Sequence, residues 1–198
     1  NLIPNTTYTL SITRAVKSAE GIPLDQAFSG SFTTAGLADT VSPTVIVIPQ
    51  DGATEVPVNA LVVFGFSEPM NPLLINSSTV AVTNNGMPVS GNIMLSQQNT
   101  VATFTPASSF LPNSVVSVTL SRRVTDMAGN PIVGNGGPGT DFISSFSTAS
   151  AADSVPPQIM NINPPSGATG IDINTAVSVT FGEPINPLTV NNATFIIS

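Results

Sequence analysis

One sequence pattern occurs more than once in this chain, and that repetition constrains the fold more than any other feature. Residues 49–82 read PQDGATEVPVNALVVFGFSEPMNPLLINSSTVAV, and residues 164–197 read PPSGATGIDINTAVSVTFGEPINPLTVNNATFII. The GAT, EP and NP elements of the two stretches align at an offset of 115 residues. Self-similarity at a fixed spacing is the sequence signature of a protein built from repeated structural units. We therefore predict related units of about 115 residues.

A second match joins the start of the chain to its middle. IPNTTYTLSITRAV at 3–16 resembles LPNSVVSVTLSRRV at 111–124, at an offset of 108. GSFTTAG at 30–36 resembles SFSTAS at 145–150, at an offset of 114. The extra residues of GNGGPG at 134–139 account for the change in offset.

These offsets predict one complete repeat at 37–150, the closing part of a repeat at 1–36 and the opening part of another at 151–198. We therefore expect the chain to be part of a longer tandem array. The junctions at 33–44 and 147–158 are rich in small residues, and in each an Asp lies four residues before a Pro. Proline stiffens a linker, so we expect short, semi-rigid joints between repeats.

Charge excludes several functional classes. The net charge is −7, and the only basic residues are Arg14, Lys17, Arg122 and Arg123. Four cations cannot form the basic face that nucleic acid or an anionic membrane requires. The chain has no His and no Cys, which excludes Ser-His-Asp triads, Cys nucleophiles and zinc sites built on these residues.

Hydrophobic residues alternate with a period of two, as they do in strands. The aligned apolar face of one strand comprises Val62, Phe64 and Phe66 in one copy and Val177, Val179 and Phe181 in the next. The opposite face becomes polar in the later copy, which favours a half-buried strand. Strands are predicted near 44–48, 60–66, 78–83, 87–95, 100–105, 115–122 and 142–148. Asn84-Asn85-Gly86 indicates a tight turn, and residues 70–74 a short helical turn with Pro near its start. Seven short strands predict an all-β, antiparallel β-sandwich.

Three motifs carry a family resemblance. The complete copy contains, in this order, P-x-D-G-A-T-x-V-P-V-N, F-S-E-P-M-N-P and V-T-D-M-A-G-N-P. Their order resembles the bacterial Ig-like domain of the SbsA type, which occurs as tandem modules in S-layer proteins, adhesins and large secreted proteins. The resemblance implies an Ig-like Greek-key sandwich, an extracellular or cell-surface location, and a spacer, stalk or lattice role.

The carboxylates are the candidate chemical groups. Glu68 and its counterpart Glu183 each follow a predicted strand and could bind calcium or act as an acid; the alternative is hydrogen bonding to turn amides. Asp126 precedes Gly and Asn and indicates an Asx-type turn. Asp39 and Asp153 recur in the linkers, but calcium needs a cluster of oxygen ligands. We predict no catalytic, cofactor-binding or metal residues, with interdomain calcium as the alternative.

Two further residue types have structural interpretations. Tyr8 follows LIPNTT at the start of a predicted strand and resembles the tyrosine corner of Greek-key sandwiches, in which the hydroxyl bonds to upstream backbone. Asn5, Asn76 and Asn192 begin N-x-S/T sequons, which permit glycosylation.

The two partial repeats would each leave an apolar face uncovered. These faces comprise Val177, Val179 and Phe181 in one repeat and Tyr8, Leu10, Ile12 and Phe32 in the other. Burial of such side chains is worth about 1.5–3 kcal/mol each. The expected partners are neighbouring repeats, either of the same chain or of adjacent chains. Strand donation, with 151–198 of one subunit completed by 1–36 of the next, would produce a homopolymer.

The sequence favours a structural function without catalysis: tandem modules of a stalk, fibre or cell-surface layer. The alternatives are a ligand-binding adhesin module and an accessory region of a large secreted enzyme. One Tyr and no Trp argue against the aromatic stacking typical of sugar binding.

Overall fold

The computed structural model describes residues 2–197. The chain forms two compact units that divide between Val41 and Ser42. The first unit contains one antiparallel hairpin, made of β1 (Thr7–Ile12) and β2 (Phe28–Thr33). Within residues 2–41 no second sheet faces this hairpin, so Leu10 and Phe32 remain 53% and 51% exposed.

Residues 42–150 of the second unit form a sandwich. Its strands are β3 (Val45–Ile48), β4 (Val62–Phe66), β5 (Val80–Asn84), β6 (Met87–Pro88), β7 (Gly91–Ser96), β8 (Val101–Pro106), β9 (Val115–Leu120), β10 (Val133–Gly134), β11 (Gly137–Pro138) and β12 (Phe142–Ser147). One sheet has the order β3-β4-β8-β7 and the other β12-β9-β5-β6. Every pairing within these two sheets is antiparallel. The predicted all-β, Ig-like sandwich is confirmed.

The core lies between the two four-stranded sheets. It combines the inward side chains of both, among them Val47, Phe64, Phe104, Val116, Val118, Leu120 and Phe146. The remaining part of the second unit contains one hairpin, β13 (Ile159–Asn163) with β14 (Ser178–Phe181). Three single-turn 3-10 helices occur at Pro72–Leu74, Gln97–Asn99 and Pro187–Thr189. Among residues 2–197 no helix has the length and apolar character needed to cross a bilayer.

Two predicted turns are confirmed. Asn85 and Gly86 have φ angles of 47° and 79° and join β5 to β6 as a two-residue hairpin loop; two consecutive positive φ angles are the mark of a type I′ turn. In the helical turn at 72–74, the Leu73 N–H donates to Asn71 Oδ1 at 3.1 Å, with Pro72 at the first position. Both turns are therefore specified by local side chains.

The single strand predicted at 87–95 is wrong. The structure divides it into β6 and β7, which belong to different sheets, so the two facing sheets contain eight strands, and β10 and β11 form a separate two-stranded sheet. Pro88 has no N–H to continue a ladder, and the Val89 N–H turns back to Val82 O at 2.9 Å. Gly91 opens β7 where a Cβ would lie 2.4 Å from the Phe104 ring.

The prediction that β4 is half-buried is also wrong. All five of its residues are buried, including Val63 and Gly65 on the face expected to be open. A Cβ on Gly65 would lie 2.9 Å from Leu188 and 3.0 Å from Ile46. Ile46 of β3 and Leu188, which lies beyond the sandwich, therefore cover the outer face of this strand at Gly65.

Candidate functional site

The Asp126 turn is the most buried acidic feature of the described chain. Asp126 is 2% exposed. Its Oδ1 accepts from the Gly129 N–H at 2.7 Å and from the Asn130 N–H at 2.8 Å, while Oδ2 accepts from Asn130 Nδ2 at 2.8 Å. The carboxylate accepts loop amides as predicted, but from the third and fourth residues on and not from the second, as an Asx turn would. Charged acceptors form the stronger class of hydrogen bond, so this carboxylate stabilises the loop that follows β9.

Glu68 lies beside this turn. Carboxylate oxygens of Glu68 and Asp126 are within 4.8 Å of one another, a proximity that the sequence did not indicate. Two carboxylates about 5 Å apart can act together in glycosidases, but Asp126 is inaccessible to substrate and three donors occupy its oxygens. Calcium takes about six to eight oxygen ligands, and interdomain calcium stays the alternative prediction.

Other carboxylates also accept local backbone amides. Asp51 Oδ1 accepts from the Ser145 N–H at 2.8 Å. Asp141 Oδ1 accepts from the Arg122 N–H at 2.8 Å and lies 3.9 Å from Arg122 Nε. Each of these carboxylates ties a turn to a neighbouring strand. This arrangement stabilises loops and does not assemble an acid–base pair.

The joint after the sandwich is a second candidate functional feature. The segment that follows β12 runs parallel to residues 56–58, with a bridge between Val56 and Thr148. The Ala149 N–H donates to Val56 O at 2.7 Å, and the Val58 N–H donates to Ala151 O at 3.2 Å. The linker is thus bound along the edge of the repeat that it leaves, which agrees with the predicted semi-rigid joint.

Asn59 completes this joint. Its Nδ2 donates to Asp153 O at 2.6 Å, and its Oδ1 accepts from the Asp153 N–H at 3.0 Å. The Asp153 carboxylate accepts from the Val155 N–H at 2.9 Å. Asp39 makes the same local bond to the Val41 N–H at 2.9 Å. The sequence analysis missed Asn59, although an Asn at the same place in both copies, Asn174 being the other, was a usable signal.

Leu188 packs against the outer face of β4. Gly65 leaves the space that Leu188 occupies, and Gln97 Nε2 donates to Leu188 O at 2.9 Å. The Asn186 side chain shapes the turn that presents Leu188 by accepting from its N–H at 3.0 Å. Residues 153–198 are therefore attached to the sandwich at a second point besides the linker.

The sequence profile of the bacterial Ig-like domain matches residues 39–148 and again 153–198. This chain belongs to the bacterial Ig-like domain family. Glu68 and Asp126 lie within the first match, and the Leu188 contact joins the first match to the second. No curated protein matches the chain.

Solved structures similar to this Ig-like chain include PcoC, a methionine-rich copper resistance protein from Escherichia coli, at 16% identity and a TM-score of 0.43, covering 55% of this chain and 99% of that one. Domains 1–6 of the surface layer protein SbsC match at 14% identity and a TM-score of 0.42, covering 63% of this chain and 15% of that one. An L,D-transpeptidase from Mycobacterium tuberculosis H37Rv matches at 23% identity and a TM-score of 0.34, covering 52% of this chain and 38% of that one. The chain spans well under half of the latter two proteins.

Tyr8 forms the predicted corner. Its hydroxyl accepts from the Ile3 N–H at 2.8 Å, and its ring stacks on Phe32 with centroids 5.8 Å apart. All three sequon asparagines, Asn5, Asn76 and Asn192, are exposed, and Asn76 Oδ1 also accepts from the Ser78 N–H at 2.9 Å. Asn76 therefore has a local structural role in its turn.

Proposed function

We propose that the chain is a structural, extracellular module, whose tandem Ig-like repeats form a stalk, fibre or cell-surface layer. The observation that carries this proposal is the joint described above. A linker that is hydrogen-bonded along the repeat edge and held by Asn59 limits the angles between successive repeats. A spacer requires this restriction, whereas a flexible tether does not.

Composition supports the same function. Four Lys and Arg residues in 198 positions give trypsin-like proteases few cleavage sites, which suits an exposed location. Asp126, Asp51 and Asp141 accept hydrogen bonds within the fold, so their geometry favours stability over catalysis. We also propose that the Ig-like module is of the SbsA type, because its three motifs occur in the same order in the complete repeat.

Two measurements test the proposal. Antibody raised against this chain should label intact cells of the source organism; labelling only after permeabilisation would contradict a surface location. Small-angle scattering should show a narrow range of distances between the sandwich at 42–150 and the β13–β14 hairpin. Asn59→Ala should widen this range. Asn174→Ala is the matched control. An equally broad distribution in all three proteins would contradict the spacer role.

The adhesin alternative gives a distinct result. Specific, saturable binding of the chain to one glycan class on an array, abolished by substitution of exposed residues, would replace the spacer proposal. We expect no such binding, because an exposed aromatic platform of Trp and Tyr is the usual sugar-stacking device and the chain has one Tyr and no Trp.

A further inference from the structure

The two facing sheets of the complete repeat have four edge strands, and these edges differ in how they are protected. The strand order makes β3, β7, β12 and β6 the edges. An edge strand has a row of backbone N–H and C=O groups that can pair with another chain, so natural proteins cover, charge or interrupt their edges. An edge without such protection marks a surface where a second molecule can bind.

The edge of β12 is covered by loops of the same repeat. The Ser145 N–H donates to Asp51 Oδ1 at 2.8 Å, and Ser145 O accepts from the Gly52 N–H at 2.8 Å. Two residues earlier in the strand, Ile143 O accepts from Asn135 Nδ2 at 3.0 Å. The outward backbone groups of β12 are therefore occupied.

Two other edges are short. β6 has only two residues, one of which is Pro88, and proline has no N–H to offer to a further strand. β3 has four residues. Thr44, directly before β3, is bridged to Val133, whose N–H donates to Pro43 O at 2.8 Å. These two edges offer little length for pairing with another chain.

β7 is the longest of these edges that no loop is seen to cover. Its six residues, Gly91–Ser96, pair with β8 in an unbroken register. They include no proline and no charged residue, and Met94 in the strand is 64% exposed. Within residues 2–197, no strand pairs with the other side of β7. β7 therefore lacks the usual protection of an edge.

The pairing with β8 determines which backbone groups of β7 face outward. The Ala107 N–H donates to Ser90 O at 2.9 Å, so these two residues form a hydrogen-bonded pair, and such pairs alternate along an antiparallel ladder. Pro106, which has no N–H, accordingly lies opposite Gly91 in a non-hydrogen-bonded pair. The residues whose N–H and C=O groups point away from β8 are therefore Gly91, Ile93 and Leu95.

β7 also lies in the longest uncharged stretch of the chain. No Asp, Glu, Lys or Arg occurs from residue 69 to residue 121, a stretch that includes β5 to β9. The whole chain has a net charge of −7, so two copies repel each other through their acidic surfaces. The edge formed by β7 is a place where two copies can meet without this local repulsion.

We propose that the β7 edges of two copies pair with each other in an antiparallel dimer with two-fold symmetry. Ile93 of one copy lies opposite Ile93 of the other, and each Ile93 N–H donates to the opposite Ile93 O. In the same register Gly91 of each copy pairs with Leu95 of the other. Every outward N–H and C=O group of the edge then has a partner, as a self-complementary contact requires.

The same register places compatible side chains together. Ile93 and Leu95 pack against the core side of their sheet, so the pairing extends an apolar inner face across the two copies. Asn92 and Met94 are exposed on the other face. Asn92 of each copy lies directly opposite Met94 of the second copy. Neither face brings like charges together.

Sedimentation velocity of the 198-residue chain should show a monomer and a dimer. The dimer fraction should rise with concentration. Because the symmetric contact uses the β7 edge of both copies, it closes at the dimer. A wild-type chain that stays monomeric up to millimolar concentration would overturn the proposal and indicate that the edge is free for a strand of a different protein.

Charge placed on the edge tests whether β7 forms the contact. In the double variant Asn92→Asp with Met94→Asp, each carboxylate lies directly opposite a carboxylate of the second copy, so dimerisation should weaken at least about tenfold. The control Leu73→Asp with Ser77→Asp adds the same charge at two exposed positions outside β7 and should dimerise as wild type does. Equal dimerisation of the two double variants would overturn the proposal.

Disulfide trapping tests the register, because the chain has no Cys of its own. Asn92→Cys in one copy and Met94→Cys in the other lie in a non-hydrogen-bonded pair, with Cα atoms about 4.5 Å apart, within the range of about 4.4–6.8 Å that a disulfide spans. Two copies of the same variant place their cysteines on a diagonal, about 7–8 Å apart. Oxidation of the mixture should therefore favour the mixed dimer, measured by mass spectrometry with one variant isotopically labelled.

The composition of the trapped dimers decides the outcome. A random mixture of the three possible dimers would indicate collision without a fixed register and would overturn the proposal. Leu73→Cys mixed with Met94→Cys measures the background of such collisions. Far-UV circular dichroism with urea unfolding checks that each variant keeps the complete repeat folded. The result is independent of where the protein is located, so it can fail without affecting the proposed surface role.

Discussion

The complete repeat and the partial repeats have the same local structure but very different burial. Phe146 in the complete repeat is 2% exposed, whereas its counterpart Phe32 is 51% exposed, although both occupy the same place in an antiparallel pair of identical register. Residues close in sequence suffice to set the turn, the cap and the register. Burial needs the opposite sheet, so most of the hydrophobic stabilisation belongs to the complete repeat.

The largest expected difference comes from the two phenylalanines. Phe146→Ala should lower the free energy of unfolding of the complete repeat by about 3–5 kcal/mol, because it empties a core position and removes the edge-on contact with Phe110 at 5.7 Å. Phe32→Ala should change it by less than about 0.5 kcal/mol. Urea unfolding followed by circular dichroism, at a dilution where the chain is monomeric, measures both; equal losses would contradict the comparison.

The Asp126 turn provides the next contrast. Asp126→Ala should destabilise the complete repeat by about 2–3 kcal/mol, since it leaves buried donors without an acceptor. Ser18→Ala, in the exposed counterpart of that turn, should cost less than about 0.5 kcal/mol. The same unfolding measurement applies. A small effect of Asp126→Ala would mean that water replaces the carboxylate and that the turn is not a source of stability.

A smaller, local effect is expected at the joint. Asn59→Ala removes two hydrogen bonds to the Asp153 backbone, worth about 1 kcal/mol each, and should speed hydrogen exchange of the Asp153 amide by about tenfold. Asn174→Ala should leave exchange in the monomer unchanged. Exchange rates from NMR test both variants, and unchanged protection of Asp153 in Asn59→Ala would show that the linker is held by its backbone bonds alone.

The smallest effect is expected at Leu188. Leu188→Ala removes the side chain that fills the space at Gly65 and should increase the mobility of residues 186–190, with less than about 1 kcal/mol lost from the complete repeat. Leu73→Ala at the equivalent but exposed position should change neither property. NMR relaxation distinguishes the two; identical relaxation in both variants would mean that the Leu188 contact does not persist in solution.

Features that depend on neighbouring residues were predictable from the sequence. The Asn85-Gly86 turn, the Pro72 helical turn and the Tyr8 corner each have their chemistry within a few positions. The offsets of 115, 108 and 114 residues also anticipated which strands of the partial repeats correspond to strands of the complete one.

Features that depend on distant residues were not predictable. Asn59 contacts Asp153 across 94 positions, and Glu68 reaches Asp126 only because the two sheets close on one another. Leu188 of the next repeat contributes to the burial of Gly65. The division of β6 from β7 required knowledge that Gly91 meets the Phe104 ring, which no period-2 pattern encodes.

Hydrogen exchange of the wild-type chain at high dilution tests the central claim most directly. Amides of β4 and β9 should be protected at least about 100-fold more than those of their counterparts β14 and β1, because opening of a two-stranded sheet costs far less than global unfolding. Equal protection of all four strands at high dilution would contradict the account, since it would mean that the partial repeats are stable without a partner.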